Sequence, residues 1–249
     1  MGHKDYLYDL FVHDLTGPLS VVATTAKSLL CRMEAYGSLT EQQKRSLERI
    51  ERNSKKAQII LREILDVSRS EEHLFQKNEF YLQGLVKDAL VSVMETMNPG
   101  VAERLEKLES PEAARGILEE QGISVKVTGK YAGSPFFHDR RKVQLILENL
   151  MSNALKYRRK RMGVSISGET DLVILVSDDG CGIPENEQEV MYKRFMQLKR
   201  DELRQAQGLG LGLFCVKALV ETMGGEIAVT SGEGCGTTFT VHISPLQPS

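Results

Sequence analysis

Apolar residues in the first third of the chain recur every three or four positions. Leu7, Phe11, Leu15, Val22, Ala26, Leu29 and Met33 form one stripe, which predicts a helix over about 5–36. Gly37-Ser38 ends the pattern. Thr40-Glu41-Gln42-Gln43 then reads as a capping box, a hydroxyl and an amide placed to satisfy the first free N–H groups of a new helix. That second helix runs to about residue 72, with Leu47, Ile50, Ser54, Ala57, Leu61 and Ile64 alternating three and four apart, the seam of a bundle. An antiparallel pair of helices cannot enclose a core alone. A second copy would complete a four-helix bundle, so a homodimer through this hairpin is expected; packing against the chain's own second domain is the alternative. Pro18 lies inside the first helix, and the bond it cannot donate would have gone to the Asp14 carbonyl, one turn after His13.

From about residue 78 the pattern mixes periods. Leu82–Met97, Lys142–Tyr157 and Leu209–Met223 read as helices. Ile123–Val127, Val164–Ser167, Leu172–Val176, Glu226–Val229 and Thr237–Ile243 read as strands, the last two as a hairpin. The expected fold class is α+β: an N-terminal helical hairpin over 1–75, then an α/β sandwich over 76–249 with helices on one sheet face. The stretch from Asn98 to Gly122 is charged, interrupted by Ser110-Pro111 and without a motif; it reads as a surface insertion.

Composition narrows the function. With 32 basic and 34 acidic residues the chain has no general footprint for nucleic acid. The local run Lys156-Tyr-Arg-Arg-Lys-Arg161 reads first as a solvated helix end and second as a phosphate or partner contact. No stretch approaches the roughly 20 apolar residues of a membrane span, and no signal peptide opens the chain. A cytoplasmic protein, or the cytoplasmic end of a membrane-bound parent, is expected. Cys31, Cys181, Cys215 and Cys235 lack metal-ligand spacing and are expected as reduced thiols. His73, His138 and His242 read as exposed polar residues.

Four further patterns carry chemistry. Asn149, Asn153 and Lys156 fall at i, i+4 and i+7, one polar face of a helix whose other side holds Leu147, Leu150 and Ala154. Asp178-Asp-Gly-Cys-Gly-Ile183 follows a hydrophobic strand; its carboxylate can accept from an adenine amino group and its glycines allow a tight turn against a flat ligand. Gly208-Leu-Gly-Leu-Gly212 leads into a helix, whose free N–H groups suit phosphate; it is neither a P-loop nor a Rossmann turn. Gly234-Cys-Gly-Thr-Thr-Phe239 closes the set. Far upstream, His13-Asp14 sits on the first helix, where Phe11 and Leu15 would point inward and leave the imidazole outward.

In this order, these motifs resemble the catalytic core of sensor histidine kinases over nearly the whole chain: a dimerisation and phosphotransfer hairpin followed by an ATPase domain of the histidine kinase/gyrase type. The resemblance implies an enzyme that binds ATP and Mg²⁺, autophosphorylates on His13 with Asp14 as acid/base partner, and passes the phosphoryl group to an Asp of a response regulator receiver domain. It implies Asn153 as the Mg²⁺ ligand, Asn149 and Lys156 at the phosphate oxygens, directly or through water, and Tyr157 among the nucleotide-binding residues. Asp178, Gly180, Gly182, Ile183 and Thr238 would line the base. Phe195, Gly208, Leu209, Gly210, Leu211 and Gly212 would form the lid and phosphate loop. Three positions depart from the pattern. Gln197 stands where an Arg is common, leaving Lys193, Arg194 or Lys199 for the γ-phosphate. Asp179 replaces a common Asn. Gly17 stands four residues after His13, where phosphatase members carry Thr or Asn, so phosphatase activity is expected to be weak. A catalytically weak nucleotide-binding scaffold and a His phosphotransferase fed from elsewhere are the alternatives.

Overall fold

The computed structural model describes residues 3–31, 37, 39–51, 54, 57, 75–108, 113–188, 191–192 and 212–247, with side-chain surroundings in the first helix given from Gly17 onward. The chain divides into two compact units, Met1–Glu72 and His73–Ser249.

In the first unit, helix α1 spans His3–Cys31 and runs through Pro18. Ala23 and Ala26 are buried on it, whereas Val22, assigned above to the apolar stripe, is 44% exposed beside Val21 at 65%. Helix α2 is continuous over 41–51, and residues 54 and 57 are also helical. Its capping box forms in both directions: Thr40 N–H donates to Gln43 Oε1 at 2.9 Å and Gln43 N–H to Thr40 Oγ1 at 3.2 Å. Ser54 is buried while Ile50 stays exposed.

The second unit is built on a five-stranded sheet. Its strands are β2 (Ile123–Val127), β4 (Met162–Ser167), β5 (Leu172–Asp178), β6 (Glu226–Gly232) and β7 (Gly236–Ile243), in the order β2-β4-β5-β7-β6. The β2–β4 pair is parallel and the others antiparallel. Alternation decides the layers. Leu172, Ile174 and Val176 of β5 share a buried face with Phe239, Val241 and Ile243 of β7, while Ser177, Thr238 and Thr240 lie on the other side. Helices α6 (Arg140–Tyr157) and α8 (Gly212–Thr222) pack on the buried face and against each other, and α3 (Leu82–Met97) packs against α6.

The region from Asn98 to Gly122 is not a surface insertion. It forms α4 (Pro99–Glu106) and α5 (Arg115–Glu120), and buries Val101, Ala102, Leu105, Ala114 and Leu118 in the common core. Its charges hid a short amphipathic pattern. A small second sheet, β1 (Lys77–Phe80) with β3 (Phe136–Asp139), delivers the chain to the start of α6. A short helix, α7 (Glu185–Gln188), follows the Asp178 loop.

Candidate nucleotide site

Helix α6 turns Val143, Ile146, Leu147, Leu150, Met151 and Ala154 into the core and leaves Asn149, Asn153 and Lys156 half-buried along its other side. Asn149 Nδ2 donates to its own helix at the Leu145 carbonyl, 2.9 Å. Its Oδ1 turns toward α8: a Cβ added to Gly212 would lie 2.8 Å from that oxygen and 3.9 Å from Asn153 Nδ2. The two amides therefore face Gly212, at the N-terminal end of α8, the end of a helix that attracts anions. The gap exists because residue 212 has no side chain. A flip of the Asn153 amide presents its oxygen to the same space. Lys156 Nζ lies 4.8 Å from the centroid of the Tyr157 ring, at the far end of the row.

Tyr157 is joined to the Asp178 loop through its main chain. A Cβ on Gly180 would sit 2.3 Å from the Tyr157 carbonyl oxygen and 2.6 Å from Asp178 Oδ1, so glycine permits the end of α6 and the end of β5 to meet. Asp178 Oδ1 accepts the Gly180 N–H at 2.8 Å. Burial raises the proton affinity of this carboxyl above the usual Asp range, against the lowering effect of N–H groups from Gly180 and Thr237. Its neighbour differs. Asp179 Oδ1 accepts the N–H groups of Arg159, Lys160 and Arg161, each at 2.9 Å, and those bonds, led by Arg161 and Lys160, hold its carboxyl below the usual range. Asp179 thus fastens the basic turn after α6, whose three side chains are exposed.

The loop is closed from behind by the β6–β7 turn. Gly182 has φ +72°, and its added Cβ would strike the Gly232 carbonyl oxygen at 1.9 Å. Ile183 N–H donates to Ser231 Oγ at 2.7 Å, Ser231 Oγ donates to the Gly236 carbonyl at 2.9 Å, and Gln188 Nε2 reaches both the Ile183 and Ser231 carbonyls. Thr238 is not brought to this face. It pairs with Ser177, whereas the residue opposite Asp178 is the buried Thr237. Ser231 and Gln188, which hold the loop from behind, carry no motif, and Thr237 was quoted in the last motif without being singled out; the alternation of β7 toward Ile243 is what puts Thr237 opposite Asp178.

His138, read above as exposed, is fully buried and stacked on Phe136. Phe195, Gly208, Leu209, Gly210 and Leu211, with Lys193, Arg194, Gln197 and Lys199, lie outside the described residues. His13 and Asp14 belong to α1 of the other unit, within the part whose side chains are not described.

Comparison with known proteins covers both units. Residues 11–73 match the family model described as His Kinase A (phospho-acceptor) domain, and residues 138–247 match that of the histidine kinase-, DNA gyrase B- and HSP90-like ATPases. The circadian input-output histidine kinase CikA of Synechococcus elongatus is 33% identical over 247 residues, spanning 95% of this chain and 30% of that protein. The histidine protein kinase DivJ of Caulobacter vibrioides is 30% identical over 240 residues, 94% of this chain and 36% of its own. The chain thus spans about a third of the length of these relatives. Among solved structures, full-length ShkA in complex with AMPPNP has the same fold, with a TM-score of 0.65 at 19% identity over 98% of this chain and 47% of that one. The Acinetobacter baumannii histidine kinase AdeS aligns with a TM-score of 0.53 at 18% identity, over 94% and 98% of the two chains. Among the described residues no helix is long and apolar enough to cross a membrane.

Proposed function

Because the chain belongs to the sensor histidine kinases, we propose that it transfers the γ-phosphoryl group of ATP to His13 and from there to an aspartate of a response regulator receiver domain. The observation that carries this reading is the meeting of Asn149, Asn153 and Gly212 on one side of the α6 end and of Asp178 and Gly180 on the other. One rim offers amides and the N-terminal end of α8 to phosphates; the other offers a half-buried carboxylate to a base. A carboxylate accepts from the adenine N6 amino group and finds no donor at the guanine O6, so Asp178 selects ATP.

In the reaction, a neutral His13 imidazole attacks the γ-phosphorus with one ring nitrogen while Asp14 holds the other N–H. The N–P bond forms as the P–O bond to ADP breaks; Lys156 takes a phosphate oxygen, and Asn149, whose Oδ1 faces α8 and whose Nδ2 serves Leu145, reaches one through a water or its second Nδ2 hydrogen. Such a transfer depends mainly on in-line positioning and charge neutralisation. The site fits a magnesium ion, since an Asn153 amide oxygen is the hard donor that ion prefers; Asn153 would hold it, and it would supply neutralisation of phosphate charge. Exposed Val21, Val22 and Ile50 on the helical unit support a homodimer through it. Gly17, with no side chain to orient a water, supports weak phosphatase activity.

Calorimetry of the chain with ATP and GTP in Mg²⁺ tests the site. ATP should bind selectively, and Asp178→Asn should weaken it about 10- to 100-fold, the worth of a hydrogen bond to a charged group. Equal affinity for GTP, or an unaffected variant, would remove Asp178 from the base site.

A further inference from the structure

We propose that Cys181 and Cys235 form a dithiol site that a peroxide converts to a disulfide, and that this bond controls the nucleotide site. Two of the chain's four cysteines occupy the open position of a Gly-x-Gly triplet, Gly180-Cys181-Gly182 and Gly234-Cys235-Gly236. The structure brings the triplets together. Gly234 N–H donates to the Cys181 carbonyl at 2.7 Å, and a Cβ on Gly182 would meet the carbonyl oxygens of Gly232 at 1.9 Å and Gly236 at 3.1 Å. Cys235 Sγ folds back over Gly232, 3.8 Å from where a Cβ of that residue would stand. Both thiols are free; Cys235 is exposed and Cys181 half-buried.

A disulfide needs Cα atoms about 4.4–6.8 Å apart. The two residues sit on loops already joined by a main-chain bond, and Cys235 is exposed in the turn between β6 and β7. The exposed Cys235 thiol loses its proton and attacks one peroxide oxygen as thiolate; the O–O bond breaks, leaving a sulfenic acid and a hydroxide that takes up that proton as water. The Cys181 thiol then attacks that sulfur, the S–S bond forms, and the sulfenic S–O bond breaks, its hydroxide taking the thiol's proton and leaving as water. Two thiols lose two electrons and the peroxide gains them. The bond would draw the turn over the loop that carries Asp178, Gly180 and Gly182. This consequence rests on the ATP site proposed above; the disulfide does not.

The test treats the full chain with hydrogen peroxide, maps linked peptides by mass spectrometry without reduction, and measures ATP affinity before and after. The expected result is one Cys181–Cys235 link, reversed by dithiothreitol and absent in Cys181→Ser and Cys235→Ser, with ATP affinity about tenfold weaker in the oxidised native chain and unmoved by peroxide in both variants. Because the link is read in the native chain, a variant that fails to fold leaves the mapping intact. Thiols that stay free, oxidise without linking, or pair with Cys31, Cys215 or another chain would overturn the site. A link with unchanged ATP affinity would overturn its control of nucleotide. A reduced chain that never binds ATP would instead sink the kinase reading and leave the disulfide to stand or fall on the map.

Discussion

The two ends of α6 are fixed by different physics. At its start the acceptor is buried. Asp139, 3% exposed, accepts the Lys142 N–H at 3.1 Å as helix cap and the Gln76 N–H at 3.0 Å, so one carboxylate ties the chain entering this unit to the helix that bears Asn149 and Asn153. Beside it His138 Nδ1 accepts the Asp139 N–H at 2.8 Å, Phe75 meets the imidazole edge-on, and Lys142 Nζ lies 4.3 Å from the Phe75 ring centroid. His138 Nε2 is buried without a hydrogen-bond partner among the described residues. At the finish of α6 the clamp is wet: Asp179 gathers three N–H groups of an exposed turn. A buried clamp is strong because unmade bonds there are costly; a solvated one gains less, since water competes for the same groups.

Substitutions should separate the two ends. Asp139→Ala leaves two N–H groups without their acceptor and should destabilise the second unit by about 3 kcal/mol, read from denaturant unfolding of the full chain. Comparable loss on Asp179→Ala would erase the distinction. The next largest effect is a pH dependence. Burial, with a smaller push from Lys142, takes the His138 pKa down to about 4 from 6.5, against the opposing pull of Asp139. A histidine whose folded pKa is depressed contributes stability that is full above its unfolded pKa and lost as pH falls toward the folded one. Unfolding measured from pH 7 to 4.5 should therefore cost the native chain about 2 kcal/mol more than it costs His138→Phe, which keeps the ring packing without a proton site. Parallel curves would mean that His138 is not buried neutral. The smallest effect belongs to Asp179→Asn, about 1 kcal/mol at pH 7. Because the Asp179 carboxyl is held low, its advantage should persist above the usual Asp range and vanish as pH drops through the folded pKa; an undiminished difference in strong acid would point to packing instead.

What could be read in advance follows from where each signal resides. The capping box at Thr40 and Gln43, the polar row on α6 and the strand ending at Asp178 are local: each is fixed by spacing within a few residues, and each is found where the chain predicted it. The β1–β3 pair was invisible because Lys77-Asn-Glu-Phe80 is short and mostly exposed, with no alternation to betray a strand. His138 gave no hint of burial, since its shelter comes from Phe75 and Phe136, the first of them remote in sequence. The choice between Thr237 and Thr238 depended on the register of β7 against β5, and a one-residue difference places a side chain on the opposite face. Asp179 looked like a departure within a nucleotide motif; its partners, 18 to 20 residues away, make it a fastener of the turn after α6.

The most direct trial of the kinase reading is transfer of label from γ-labelled ATP in the presence of Mg²⁺, comparing the native chain with His13→Gln and Asn153→Ala. Acid-labile, alkali-stable phosphate on the native chain, absent from His13→Gln and strongly reduced in Asn153→Ala, is the predicted result. Binding of ATP without any such label, or equal labelling of His13→Gln, would contradict it.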